Sequence, residues 1–306
     1  MTSVKPKYSV IVPVYNSENS ISELVDRIEK SMTNYAPYEL LMIDDLSTDN
    51  SWNKMKEAKA NKQHIRLLRF TRNFGQAAAS ICGIREAKAD TTIFIDDDLQ
   101  FNPEDIPKLI AHYNPEKHYS VFGVPNKKKG GLGRYSSAMV DQLIQKMAFR
   151  NQDSTLRFSS FRISARKSYH GDSYSEKGMR SVHVFFTMVS PKLVDFIEVE
   201  HNDRKKGKSN YTLGKKIRLL LEIVVTLTEL PIVWFINLVL FFFLITGLLT
   251  ISIISDIGSW NKDWNALLIA FLGLNISLGI VFMFTYLRRV FLTFQGADVY
   301  AIWQEA

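Results

Sequence analysis

The chain has 306 residues, 46% of them hydrophobic and 12% aromatic, which fills a sizeable core and excludes a disordered chain. Its formal charge of +7 points to a polyanionic partner, whether nucleic acid, an anionic membrane surface or a phosphorylated substrate, and charge alone does not choose among them. The single cysteine, Cys82, excludes an internal disulfide and reads as a buried structural thiol in a reducing compartment.

The first residues, M-T-S-V-K-P-K-Y, hold no apolar stretch of signal-peptide length. Residues 8–14, Y-S-V-I-V-P-V, are apolar and β-branched and predict a buried strand. A loop over 15–19 leads to Ser20 and Glu23, spaced as a capping box ahead of Ile21, Leu24, Val25, Ile28 and Met32 on one helix face. A second strand over 39–45 ends in acid, and capping residues at 47–50 start a helix through Trp52, Met55 and Lys59. A third strand, 65–70, is followed by T-R-N-F-G-Q and an Ala-rich helix over 77–87; a fourth strand covers 91–95. This alternation implies an α/β fold with a parallel sheet and right-handed crossovers. The loops at 13–17, 44–47, 72–75 and 96–100 then converge beyond the carboxyl ends of the strands, where such sheets bind ligands.

The fourth of these loops begins Asp96-Asp97-Asp98. Alternate carboxylates, Asp96 and Asp98, leaving one side of a strand end make a hard oxygen site suited to Mg2+ or Mn2+. A solvated acidic turn is the other reading of the same triplet. Neither G-x-G-x-x-G nor a Walker loop is present, so a metal would carry more of any phosphate grip.

Asn102 and Pro103 open another helix, and residues 119–124 form a strand. The run N-K-K-K-G-G-L-G over 126–133 is either a solvated basic turn or a loop that meets anionic lipid or phosphate. A helix over 134–149, a short strand in S-S-F-R-I-S-A, a helix over 176–189 and a strand over 196–200 complete the domain. The basic segment R-K-K-G-K-S-N-Y precedes an interfacial amphipathic helix over 212–230. Residues 231–255 and 265–287 carry no charge and are each long enough to cross a hydrocarbon layer of about 30 Å. Lys205, Lys206, Lys208, Lys215, Lys216 and Arg218 before the first span, with Arg288 and Arg289 after the second, place both ends in the cytoplasm.

In V-I-V-P-V-Y-N, I-D-D-L-S-T-D, R-N-F-G-Q, I-D-D-D-L-Q-F-N-P-E and R-x-x-G-K-S-N-Y, in that order and ahead of two spans, the chain resembles the family 2 glycosyltransferases. Within them it is similar to the polyprenyl-phosphate group of dolichol-phosphate mannose synthase and the bacterial enzymes of O-antigen and lipid A modification. The resemblance implies a Rossmann-like GT-A domain over 1–211, followed by the interfacial helix, two transmembrane helices and a cytoplasmic tail over 288–306. It implies a nucleotide-diphosphate sugar as donor, with uridine favoured over guanosine, and polyprenyl phosphate, here undecaprenyl phosphate, as acceptor. The expected product is a single inverted sugar linkage made on the cytoplasmic face of a bacterial inner membrane. Membrane lipids and a homo-oligomer are the other expected partners; nucleic acid is not.

By the same resemblance Pro13, Tyr15 and Asp45 contact the base and ribose, and Ile43 offers a backbone contact there. Asp96 and Asp98 form the D-x-D metal pair with Gln100 as a further ligand or phosphate contact, Asp97 sits within the donor site without an assigned role, and Arg134, Arg204 and Lys208 meet the diphosphate or the lipid phosphate. Two positions depart from the pattern. Ser17 stands where many relatives have Glu, and Val124 and Pro125 stand where some have Arg, which shifts one phosphate contact to Lys127, Lys128 or Lys129. No His-centred constellation appears, consistent with an acceptor already ionised. The alternatives are a non-catalytic nucleotide-sugar-binding anchor, or transfer to a diacylglycerol-type hydroxyl.

Overall fold

The computed structural model describes residues 4–126, 159–165, 191–202 and 301–306, with isolated positions between 237 and 287. The chain divides into two units, Met1–Thr212 with Asp298–Ala306, and Leu213–Ala297. In the first unit the order is β1 (Tyr8–Val14), α1 (Ile21–Met32), β2 (Tyr38–Asp44), α2 (Ser51–Lys59), β3 (Ile65–Phe70), α3 (Gln76–Glu86) and β4 (Thr91–Phe94). A 3-10 turn at Pro103–Asp105 leads into α4 (Ile106–His112), followed by β5 (Ser120–Pro125), β6 (Arg162–Ala165), β7 (Val194–Val199) and β8 (Ile302–Glu305).

Side-chain alternation along the strands decides the layering. Val10, Val12, Val14, Leu40, Met42, Ile65 and Leu67 pack on one face with Leu24, Ile28 and Met32 of α1, Trp52 and Met55 of α2, and Ile106 and Leu109 of α4. Ile11, Leu41, Ile43, Leu68 and Phe70 point the other way, onto Ala78, Ala79, Ile81 and Cys82 of α3. Each fully buried aliphatic side chain contributes roughly 1.5–3 kcal/mol on leaving water. The small residues of α3 let that helix lie close on the sheet: a Cβ added to Gly83 would overlap Ile11 Cγ2.

The strands form one sheet in the order β7-β5-β6-β4-β1-β2-β3-β8. β4, β1, β2 and β3 are parallel neighbours, as expected from the βα alternation. The sheet as a whole is mixed rather than parallel, because β6 inserts antiparallel between β4 and β5, and β8 pairs antiparallel with β3. β8 lies in the segment expected to be only a cytoplasmic tail.

The expected capping box is also corrected. Ser20 makes no side-chain cap bond; its hydroxyl donates instead to the carbonyls of Ser17 (3.1 Å) and Asp97 (2.5 Å). Glu23 pairs with Arg27 one turn later. The strand expected over 196–200 is β7, which begins at Val194, two residues earlier than predicted.

The helices expected over 134–149, 176–189 and 212–230 lie outside the described residues. Of the second unit, the described positions between 237 and 287 are helical, and Phe241, Ile276, Val281 and Phe284 are exposed apolar side chains. Among the described residues no helix is long and apolar enough to cross a membrane, and most of residues 231–255 and 265–287 lie outside that description.

Candidate active site

Strand order β3-β2-β1-β4 reverses direction of build between β1 and β4, and the crevice at such a point is where α/β sheets take ligands. The loops after β1 and β4 meet there, and with those after β2 and β3 they make up the four sequence-predicted site loops. Three of them hold a non-glycine residue in the left-handed region: Asn16 (φ 54°) after β1, Leu46 (φ 55°) after β2 and Leu99 (φ 59°) after β4. Such backbone costs free energy and persists only where surrounding contacts hold it.

Those contacts are visible. Asp97 Oδ2 accepts hydrogen bonds from the Tyr15 N–H (2.9 Å) and the Ser17 hydroxyl (2.5 Å), so the middle carboxylate of the triplet fastens the β4 loop to the β1 loop. This gives a position to the triplet member whose role was open, and a use to Ser17. Burial pushes the Asp97 carboxyl up to about 7, against the lowering effect of those two bonds.

Asp96 is oriented from two sides. Its Oδ1 accepts from the Gln76 amide at the start of α3 (2.6 Å), and its Oδ2 from the Ser160 hydroxyl just before β6. Burial, chiefly, raises it to about 6, while Ser160, Arg162 and Gln76 each lower it. Arg162 lies behind, on β6, with its guanidinium carbon 3.8 Å from the ring centroid of Phe94. Asp98 Oδ1 accepts from the Gln100 N–H (3.1 Å), which closes the turn around Leu99.

Gln100 also passes its carbonyl to the Asn202 N–H (2.8 Å), and Phe101 bridges His201. The chain leaving β7 therefore passes beside the triplet, two residues ahead of Arg204 in sequence. Arg134, Arg204 and Lys208 themselves lie outside the described residues, as do Lys127, Lys128 and Lys129.

The remaining expected contacts fall on β1, β2 and the loops after them. Pro13 is buried and registers with Ile43 across β1 and β2, whereas Tyr15 is exposed at the crevice. Ile43 has its side chain in the core, which leaves only its backbone for a ligand. Asp45 has both oxygens engaged by the loop before α3: Oδ1 by the Phe74 N–H (2.6 Å) and Oδ2 by the Gly75 N–H (2.8 Å). Gly75 meets it at φ 93°, a conformation L side chains rarely adopt. Burial pushes Asp45 up to about 6 even against those two bonds. Asp44 beneath it is fully buried and forms an ion pair with Arg69 (2.9 Å).

Sequence reasoning missed Gln76, Ser160 and Arg162 as supports of Asp96. Gln76 stands inside the R-N-F-G-Q motif and could have been singled out there; Ser160 carries no local signal, since only the insertion of β6 beside β4 brings it to the triplet.

The donor set suits a divalent ion. Asp96 and Asp98 offer hard carboxylate oxygens, each already oriented by a hydrogen bond. Among the described residues no three His, Cys, Asp or Glu converge as a closed cage. Two carboxylates with the rest of the shell left to phosphate and water is the arrangement Mg2+ commonly takes.

A family model described as glycosyl transferase family 2 matches residues 9–173. The chain is 31% identical over 232 residues to undecaprenyl-phosphate 4-deoxy-4-formamido-L-arabinose transferase of Proteus mirabilis (strain HI4320), covering 74% of this chain and 69% of that protein. Among solved structures it is similar to glucosyl-3-phosphoglycerate synthase of Mycobacterium tuberculosis, with a TM-score of 0.55 at 16% identity over 72% of this chain and 79% of the other. The same enzyme in complex with Mn2+ and UDP-glucose gives a TM-score of 0.56 at 14% identity over 72% of this chain and 78% of that one. At these identities the structural likeness establishes a GT-A-like mixed-sheet fold.

Proposed function

We propose, since the chain belongs to glycosyl transferase family 2 and is a glycosyltransferase, that it transfers one sugar from a UDP-sugar to undecaprenyl phosphate with inversion, assisted by Mg2+ or Mn2+. The observation that carries the reading is the acidic triplet at the β1/β4 crevice, in which Asp97 fastens the β1 loop while Gln76 and Ser160 orient Asp96 and the Gln100 N–H orients Asp98. The similarity to a transferase named for undecaprenyl phosphate supports the acceptor, and a fold shared with an enzyme solved with Mn2+ and UDP-glucose is compatible with the donor and metal.

Asp98 and Asp96 would hold the divalent ion, which supplies positive charge against the departing diphosphate. Gln76 and Ser160 keep Asp96 aimed into the crevice, and the Gln100 N–H does the same for Asp98. Asp45 fixes the loop before α3 and Tyr15 borders the opening, so that base and ribose lie along β1 and β2. The bond from the anomeric carbon to the diphosphate oxygen breaks, and its electron pair leaves on that oxygen. An oxygen of the lipid phosphate, ionised at neutral pH, forms the new bond from the opposite face. No proton changes hands, so no general base is needed. Arg134, Arg204 and Lys208 are assigned to the phosphates.

The acceptor requires a membrane, and the path of the chain supports two crossings by residues 231–255 and 265–287. Thr212 closes the first stretch of the catalytic unit, and Ala301 bonds Thr71 within that same unit at 3.0 Å. A chain that leaves and rejoins one unit crosses a bilayer an even number of times. The exposed apolar side chains of Ile276, Val281 and Phe284 suit lipid. The test is incubation of the full chain with labelled UDP-sugars, undecaprenyl phosphate and Mn2+, followed by extraction of the lipid phase. Label in the lipid supports the reading; UDP binding without lipid label for any sugar would favour the non-catalytic anchor.

A further inference from the structure

β8 was unforeseen, and its attachment reaches further than the sheet edge. The Leu67 N–H and carbonyl bond the Ala306 carbonyl (2.9 Å) and N–H (3.0 Å), and the Thr71 N–H bonds the Ala301 carbonyl. Arg66 reaches Glu305 at 3.1 Å. All four side chains of the strand are exposed, so it buries little and rests on backbone bonds and a few side-chain contacts. An element of that kind undocks at low cost.

One of those contacts leads inward. The Arg69 guanidinium lies 5.5 Å from the ring of Trp303 on β8 and 5.3 Å from that of Trp52 on α2. The same arginine forms the ion pair with Asp44 and donates to the Ser47 carbonyl (3.3 Å). Asp44 Oδ1 accepts from the Ser47 N–H (2.9 Å), and the Ser47 hydroxyl accepts from the Asn16 N–H (3.0 Å). Asn16 Oδ1 in turn receives the Thr48 N–H (2.8 Å). The loop that carries Asp45, with Leu46 at positive φ, is thus built on a fully buried carboxylate whose cation is held partly by the carboxyl-terminal strand. A buried carboxylate tolerates displacement of its cation poorly.

We propose that Trp303 is a positioning residue of the donor site: docked on β3, it holds Arg69 against Asp44 and so keeps loop 44–48 in the form that receives the nucleotide. The proposal rests on the nucleotide-sugar reading above. It makes donor affinity depend on the docking of a strand reached only through residues 213–297. The site would then be fully formed only in a chain whose second unit delivers that strand.

The experiment uses the full chain in nanodiscs and the variants Trp303→Ala and Trp303→Phe. UDP affinity is titrated in Mn2+, and amide hydrogen exchange of residues 44–48 is followed without nucleotide. For an exposed cation–π contact of about 1 kcal/mol, Trp303→Ala should weaken UDP binding about fivefold and raise the donor KM with kcat retained. It should also speed exchange at 44–48, and Trp303→Phe should restore both within twofold. Unchanged affinity and exchange in Trp303→Ala would overturn the proposal. So would a loss shared equally by donor KM, acceptor KM and kcat with exchange raised throughout the sheet, which marks simple destabilisation. If the unsubstituted chain binds no UDP, the donor reading fails, and the exchange comparison still decides whether Trp303 orders the loop.

Discussion

Replacing Ser160 by alanine tests the support of Asp96 without touching a metal ligand. The Ser160 hydroxyl donates to Oδ2, and the Gln76 amide to Oδ1 at 2.6 Å. Burial first, and then the Asp98 charge, drive the carboxyl toward its neutral form, and the serine bond leads the groups that counter them. A hydrogen bond to a charged group is worth about 1.5–3 kcal/mol, which at 1.4 kcal/mol per decade is roughly ten- to a hundredfold. Loss of the bond leaves Asp96 easier to protonate and held from the Gln76 side only, and both effects oppose a cation. Mn2+ affinity in the presence of UDP should therefore fall about ten- to a hundredfold, read by electron paramagnetic resonance of free Mn2+. Activity should return at saturating metal, and Ser160→Thr should keep most of the affinity. A Ser160→Ala variant with Mn2+ affinity within twofold of the parent would refute the claim that this hydroxyl prepares Asp96 for a metal.

Further outcomes follow from the same geometry. Gly83→Ala should gain helix propensity yet overlap Ile11, with a net loss of about 1–2 kcal/mol seen as a lower urea midpoint. Gly75→Ala places a side chain at φ 93° with open space around it, so its cost of about 1–2 kcal/mol is backbone strain, and donor KM should rise while the fold is retained. Burial pushes Asp45 up to about 6, so the part of UDP affinity that rests on its carboxylate should be about tenfold lower at pH 5 than at pH 7, as the protonated oxygen turns a donor toward an N–H; titrated without metal, Asp45→Asn should make this limb shallower, the remainder belonging to Asp96 and Asp97. The linked stability has the opposite sign. Because the folded value lies above the ordinary 3.8, the contribution is present in full below 3.8 and is lost as pH rises through about 6.

The parallel half of the fold was legible because strands buried on both faces read as unbroken apolar runs, as V-I-V-P-V and L-L-M-I do. The antiparallel half was not. R-I-S-A was readable as a strand, yet nothing local tells it to insert between β4 and β5, and that insertion alone carries Ser160 to Asp96. β8 was missed for the opposite reason: I-W-Q-E has no buried face to leave a period. The S-x-x-E spacing at Ser20 misled because the Asp97 carbonyl, brought close by the sheet, competes for the hydroxyl. The triplet was legible as an acidic strand end, but its internal division was tertiary. Which carboxylate binds the β1 loop depends on where Tyr15 and Ser17 sit once β1 and β4 are neighbours.

The proposed transfer depends most directly on Asp98, oriented by the Gln100 N–H, as the residue that would hold the ion beside the departing diphosphate. The direct measurement is lipid-phase label from UDP-sugars and undecaprenyl phosphate with Asp98→Asn beside the parent chain, both checked for an intact fold by circular dichroism. The account predicts label for the parent and a loss of at least about a hundredfold for the variant, on the scale of removing one electrostatic contact to the departing group. Undiminished transfer by a folded Asp98→Asn chain would contradict it.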